Sequence, residues 1–566
     1  MIDRLIKVLT YLFDQFLLLY SIFLLGLFIT DYAFILKDGI SNFSIQALFF
    51  LALLGFRWFM DKQTFKNTFL IRIIKYLSKF QDNKLLIFIF FAFIIIFSAI
   101  GISRHLAFSS SGCDLAVTDQ AIWNTTKGDI LFSSLDGNIS HFGAHFEPVL
   151  FLIAPLYLFW PNVLVLVILQ ILALGLAIFP LYLIAKQRLN NRLLIFVFIL
   201  AYFLSRSVRG IGLLDFHTDS FLVPLALFSF YFLVTNRTKY ALLTLFSMLL
   251  CKENASFLLA GFGLFTFFSL KKRKLGIVLI ASGITSWYII TSIVMPYFAS
   301  TKDYPYLVWL PFGKTYSENI IAVVKNPAVL LNLIFGQGKI DFYIRLFAPV
   351  GFLAFLSPRH YVLFLAPLAL QIVGSIGHPG MQTISSHYPA HTLPFIFISA
   401  IYGAGWLIER FSKKDPAKYK KAGALIACLV LLTSISFYGK SDGHKLSKFI
   451  KSIGEIKSRE IAVALKTIPQ GASVCAVNRL VPHLSHRKYI YLWKSLADFK
   501  YNCEYVAIHT DLWDRQEDIN KIILTLEGHR YNLIYTDKDK LFFIFFNKTI
   551  NKNALENEPK KINPME

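Results

Sequence analysis

Apolar residues fall along this chain in long unbroken blocks, of which "LLIFIFFAFIIIFSAIG" (85–101) is the plainest. Blocks of about 17 to 25 apolar residues match the length of helix needed to cross a bilayer core of roughly 30 Å. The pattern predicts thirteen spans, at about 8–30, 44–60, 85–103, 162–185, 192–208, 220–235, 239–251, 255–270, 275–297, 343–357, 361–377, 391–409 and 422–438. The N-terminal "MIDRLIKVLTYLFDQFLLLYSIFLLGLFIT" is basic, then apolar for longer than a signal-peptide core, so it reads as an uncleaved first span.

Beyond 438 the pattern changes. A helical segment (about 445–468) precedes short apolar runs, "ASVCAV", "YIYLW" and "EYVAIH", then a helix near 515–528 and a hairpin around "DKDK". Strands alternating with helices predict a small α/β domain. The expected layout is therefore two extra spans and a basic loop (1–84), a membrane domain (85–438), an α/β domain (439–550) and a disordered tail (551–566).

Composition agrees with a polytopic α-helical membrane protein. The 566 residues are 56% hydrophobic and only 16% charged, against about 25% charged in a soluble domain. The net charge of +23 would suit nucleic acid, but the basic residues sit in short loops and form no single soluble face, which argues against that partner. The loops 61–84, 186–192, 236–239, 271–274 and 410–421 are all basic. With thirteen spans they share one side, the cytoplasmic one by the positive-inside rule. The N-terminus is then inside, and the α/β domain lies outside a cytoplasmic (inner) membrane.

The opposite side collects acids and histidines, and ionisable groups beside hydrocarbon usually mark a site or a pathway. In "SGCDLAVTDQAIWNTTKGDI" (111–130), Asp114 and Asp119 stand just past a span. Either suits a general base, although Asp is also a favoured helix N-cap. "HFGAHFEP" places His141 and His145 four residues apart, with Glu147 following. That spacing suits a divalent metal, but no third ligand is fixed, so the cofactor stays unassigned and a polar cluster touching substrate is the reading adopted. "LLDFHTDSF" supplies Asp215, His217 and Asp219, the last a candidate cap, and "CKEN" supplies Lys252 and Glu253, readable as a buried ion pair. Lys252, Arg206 and Arg209 are candidate phosphate ligands. "SSHYPAH" adds His387, Tyr388 and His391, and the α/β domain adds His483, His486 and Arg487. Of the five cysteines none forms a CxxC pair, and Cys475 and Cys503 are candidates to bridge.

Six segments occur in order: "CDLAVTDQAIWNTTKG", "HFGAHFEPVLFLIAPLY", "DFHTDSFLVPLALFSFYFL", "CKENASFLLAGFGL", "SHYPAHTLPFIFISAIYG" and "GASVCAVNRLVPHLSHRKYIYLW". Together they resemble the membrane-protein family called domain of unknown function 2079, over about residues 85 to 545. More distantly the layout is similar to the GT-C superfamily of integral-membrane glycosyltransferases. That resemblance implies a polyprenyl-phosphate sugar as donor and a first-loop acid as base or metal ligand, a position Asp114 matches by order and side. The loop departs from that superfamily in lacking an Asp-x-Asp, Glu-x-Asp or Asp-Glu pair. Rival readings are a transporter or flippase for a lipid-linked or anionic solute, and a non-catalytic scaffold.

Overall fold

The computed structural model describes residues 81–299, 316–336, 338–375, 378–412, 415–437, 456–493, 503–512, 518–547 and 549–550. The expected spans at 8–30 and 44–60 and the tail lie outside these residues. The membrane body is helical: α1 (Asp82–Leu106), α2 (Val117–Thr125), α3 (Val149–Phe159), α4 (Leu164–Leu176), α5 (Ile178–Arg188), α6 (Arg192–Leu204), α7 (Arg206–Leu213), α8 (Asp219–Val234), α9 (Thr238–Met248) and α10 (Ala255–Phe268) come first. They are followed by α11 (Arg273–Ile289), α12 (Met295–Ala299), α13 (Tyr316–Lys325), α14 (Pro327–Phe335), α15 (Lys339–Phe347), α16 (Tyr361–Gly374), α17 (Leu393–Ser412) and α18 (Pro416–Ser436).

Among the described residues four continuous helices are long and apolar enough to cross a bilayer: 82–106, 164–188, 273–299 and 416–436. A fifth arises if α6 and α7, bent by 46° at Ser205, count as one. Three expectations change, the first being the count itself: thirteen spans were expected, against four or five helices of spanning length among the described residues. The run 343–357 is no single helix, because Gly351 and Phe352 take left-handed backbone (φ +62° and +56°) behind Pro349 and break it into short turns. The expected loop 104–161 holds an apolar helix of its own, α3.

The described C-terminal residues build a five-stranded sheet with two helices, called the α/β domain below. After α19 (Ile456–Leu465) come β3 (Val474–Ala476), β4 (Ile490–Leu492), β5 (Tyr505–His509), α20 (Ile519–Gly528), β6 (Tyr531–Thr536) and β7 (Phe542–Asn547), following the two-residue pair β1 (Phe132–Ser133) and β2 (Ile139–Ser140) of the first loop. The sheet order is β4-β3-β5-β7-β6, parallel across β4-β3-β5 and antiparallel thereafter. A Cys475–Cys503 disulfide ties β3 to the start of β5.

The body and the α/β domain each have their own apolar core, yet Phe108 and Ala116 of the first loop belong to the core of the α/β domain. Burying both fixes that loop between the two cores. Asp114 sits on this clamped segment.

Candidate functional site

A short π-helix, Gly112–Ala116, carries Asp114. Its cap is Ser111, whose hydroxyl accepts the Cys113 N–H at 3.1 Å. Asp114 is therefore not the cap, and its carboxylate is released from that duty. Gly112 donates its N–H to Oδ1 of Asn478 in the α/β domain at 2.8 Å. A Cβ at Gly112 would stand 2.8 Å from Cβ of Val481, so only glycine lets the two segments approach this closely.

The Asp114 side chain is 38% exposed and lies 3.7 Å from Nε2 of His217. Both face a cavity of about 760 Å³. Eleven of the candidate residues from the sequence line it: Asp114, His141, His145, Glu147, His217, Asp219, Lys252, Glu253, His387, Tyr388 and His391. The His217 ring stacks on His387 with centroids 3.6 Å apart, and His387 meets Tyr388 at 4.0 Å. Helix α7 makes this possible, since Gly210 packs directly on the backbone of Ser385, where a Cβ would come within 2.5 Å.

The opposite wall is a chain of alternating charge. Asp136 contacts Nδ1 of His141 at 2.7 Å, and Nε2 of His141 lies 3.5 Å from Glu147. Glu147 receives Lys252 Nζ at 3.3 Å, and the same ammonium reaches Asp219 at 3.2 Å. Asp219 ends the chain 3.3 Å from Nε2 of His391. Burial disfavours the charged form of His141, but Asp136 and Glu147 outweigh it and push its pKa up to about 10. Burial likewise opposes ionisation of Glu147, and Lys252 and His141 overcome it, holding the carboxyl well below its usual range. His387 is driven the other way, its desolvated ring kept neutral.

Seven candidates lie elsewhere: Asp119, Asp215, Arg206 and Arg209, with His483, His486 and Arg487 of the α/β domain. Asp119, named as a second catalytic acid, is fully buried between α2 and the α/β domain. Tyr157 and Ser485 donate to it, and Nε2 of His486 stands 3.1 Å away, so it has no face to offer a substrate. Asp215 is held by Arg104 at 2.7 Å and accepts the Ser111 N–H at 2.9 Å, bracing the loop from behind. Arg209 is buried within α7 and, with Arg206, is not among the cavity's lining residues. Lys252 reaches Glu147 and Asp219, while Glu253 turns to His145 at 3.1 Å. Thr218, not Asp219, is the N-cap of α8.

Sequence reasoning missed Asp136, Asn254, Phe257, Trp287 and His378, which also line the cavity. Asp136 follows a plain turn sequence, and Trp287 sits inside an apolar helix, so neither carries a local signal. Among the described residues no three His, Cys, Asp or Glu side chains gather as a metal centre. What the wall offers is a dense set of carboxylates and imidazoles, acceptors suited to hydroxyl-rich ligands, facing the aromatic surfaces of Phe257, Trp287 and Tyr388.

No curated protein matches the chain. Among solved structures it is similar to ArnT from Cupriavidus metallidurans bound to undecaprenyl phosphate, at 12% identity and a TM-score of 0.44, over 82% of this chain and 98% of that one. The model of the family described as "Predicted membrane protein (DUF2079)" matches residues 104–540. The six ordered segments and this match agree, and the chain belongs to that family of membrane proteins.

Proposed function

We propose that the protein is a membrane-embedded glycosyltransferase whose cavity opens on the outer face of the membrane, with Asp114 as general base. One observation carries the reading: a half-open carboxylate, free of capping duty, faces a cavity of about 760 Å³ lined with hydrogen-bond acceptors. In the proposed step Asp114 takes the proton of an acceptor hydroxyl as that oxygen bonds the anomeric carbon of the donor. The phosphate departs with the electron pair of the broken carbon–oxygen bond. His217, 3.7 Å from Asp114, orients the carboxylate, while His145, partly exposed and steadied by Glu253 at 3.1 Å, contacts the sugar hydroxyls.

A polyprenyl-phosphate donor follows from the layout the motifs share with the GT-C superfamily. The outer location is supported by the Cys475–Cys503 disulfide, since such bonds persist in oxidising compartments. The test is incubation of the purified protein with radiolabelled polyprenyl-phosphate sugars, scoring label transferred to a hydroxyl acceptor. Transfer by the wild type that is lost in Asp114→Asn supports the reading; label that stays on every donor offered rejects it.

A further inference from the structure

A second concavity separates the membrane body from the α/β domain. It has a volume of about 470 Å³ and lies on the far side of the loop that carries Asp114. Val117 and Thr118 face the first cavity, whereas the next residue, Asp119, holds His486, which lines the second. The two differ in charge. The first presents five carboxylates (Asp114, Asp136, Glu147, Asp219 and Glu253) with Lys252 as its lysine. The second presents the cations Lys466 and Arg487, and none of its lining residues is acidic.

We infer that this crevice binds the phosphate group of a lipid at the membrane surface. Arg487 is anchored on one edge, where its Nε donates to the carbonyl of Leu484, and Nη1 to those of Pro469 and Ala472. Its Nη2 makes no hydrogen bond among the described residues, so that edge of the fork is available to an oxyanion. His483 is clamped between the rings of His105 at 4.1 Å and Phe108 at 4.0 Å, and its buried Nε2 has no partner among the described residues. Lys466 adds an exposed point charge at the rim.

The membrane side of the crevice favours a lipid over a free ion. Pro161, which lines it, directly follows Phe159 and Trp160, 88% and 47% exposed at the end of apolar helix α3. Aromatic residues in that position mark the headgroup level of a bilayer, so an acyl or prenyl chain could lie on them while its phosphate enters the crevice. This site stands whether or not the first cavity transfers sugar.

The test uses the purified full-length protein in a non-ionic detergent and calorimetric titration with three probes: dioctanoyl phosphatidic acid, inorganic phosphate and dioctanoylglycerol. The phosphatidic acid should bind saturably and more tightly than the other two. Its affinity should fall about tenfold in Lys466→Glu, the effect of losing one charge-assisted contact, and further in Arg487→Gln. Because Arg487 also holds three carbonyls, Lys466→Glu, altered only at an exposed position, decides the matter should Arg487→Gln fail to fold. Unchanged affinity in Lys466→Glu, or equal binding of dioctanoylglycerol, overturns the phosphate site. Inorganic phosphate binding as tightly as the lipid overturns the lipid as its source.

Discussion

Asp119 and His486 are 367 residues apart in sequence, and their side chains meet at 3.1 Å in the seam between the membrane body and the α/β domain. Burial opposes the charge on each, yet their mutual attraction prevails: the Asp119 pKa is lowered and that of His486 raised. The pair, with Tyr157 and Ser485, makes the α/β domain a structural wall of the loop that presents Asp114.

Breaking that pair should loosen the loop. Asp119→Ala leaves His486, Tyr157 and Ser485 without their shared acceptor, and removing one partner of a buried pair costs about 3–5 kcal/mol. The variant should melt earlier in detergent and expose the α/β domain to added protease. A wild-type melting curve would show that Asp119 is dispensable to the seam.

The chain of charges makes a pH prediction. His141 has a folded pKa of about 10 against an ordinary 6.5. A raised histidine stabilises the fold fully below its unfolded value and loses that contribution as pH rises through the folded one. The melting-temperature gap between wild type and His141→Gln should therefore be widest near pH 6 and shrink towards pH 10. A gap constant across that range contradicts the assigned charge.

Lys252 is shared by Glu147 and Asp219, all three buried. Lys252→Met takes from both carboxylates the ammonium they share, leaving Glu147 to His141 and Asp219 to His391, and should cost about 3–5 kcal/mol. Adding Glu147→Gln and Asp219→Asn removes those charges and should recover most of the loss. If the triple variant is no more stable than Lys252→Met, the penalty is one of packing, not of charge.

Gly112 tests the clamp by shape alone. A Cβ there would collide with Val481 at 2.8 Å. Overpacking of this kind costs about 1–3 kcal/mol, so Gly112→Ala should destabilise by that amount and displace Asp114. Replacing Val481 by Gly in the same chain removes the colliding Cβ and should recover part of the loss. Failure of that rescue would place the constraint on the backbone of Asn478, whose carbonyl lies 3.1 Å from the same Cβ position.

The helical character was legible because long apolar blocks admit few alternatives, but the count of spans was not, since apolar runs such as 343–357 also fit short buried turns. His217 and His387 were both visible as site candidates from residue type and side. Their stacking was not, since it depends on Gly210 meeting Ser385. Asp119 misled because sequence shows a carboxylate in a promising loop but not the partner 367 residues later that buries it. The break at Gly351–Phe352 was hidden by the hydrophobicity of its flanks, which fits a span and a buried turn equally well.

The most direct test of the account is transfer by Asp114→Asn. The cap of its helix is Ser111, so the amide should leave folding and the melting temperature unchanged. General-base catalysis contributes a factor of about 10² to 10⁴, so the rate of label transfer from the polyprenyl-phosphate sugar should fall within that range. A folded Asp114→Asn protein that transfers label at the wild-type rate would contradict the assignment of Asp114 as the base.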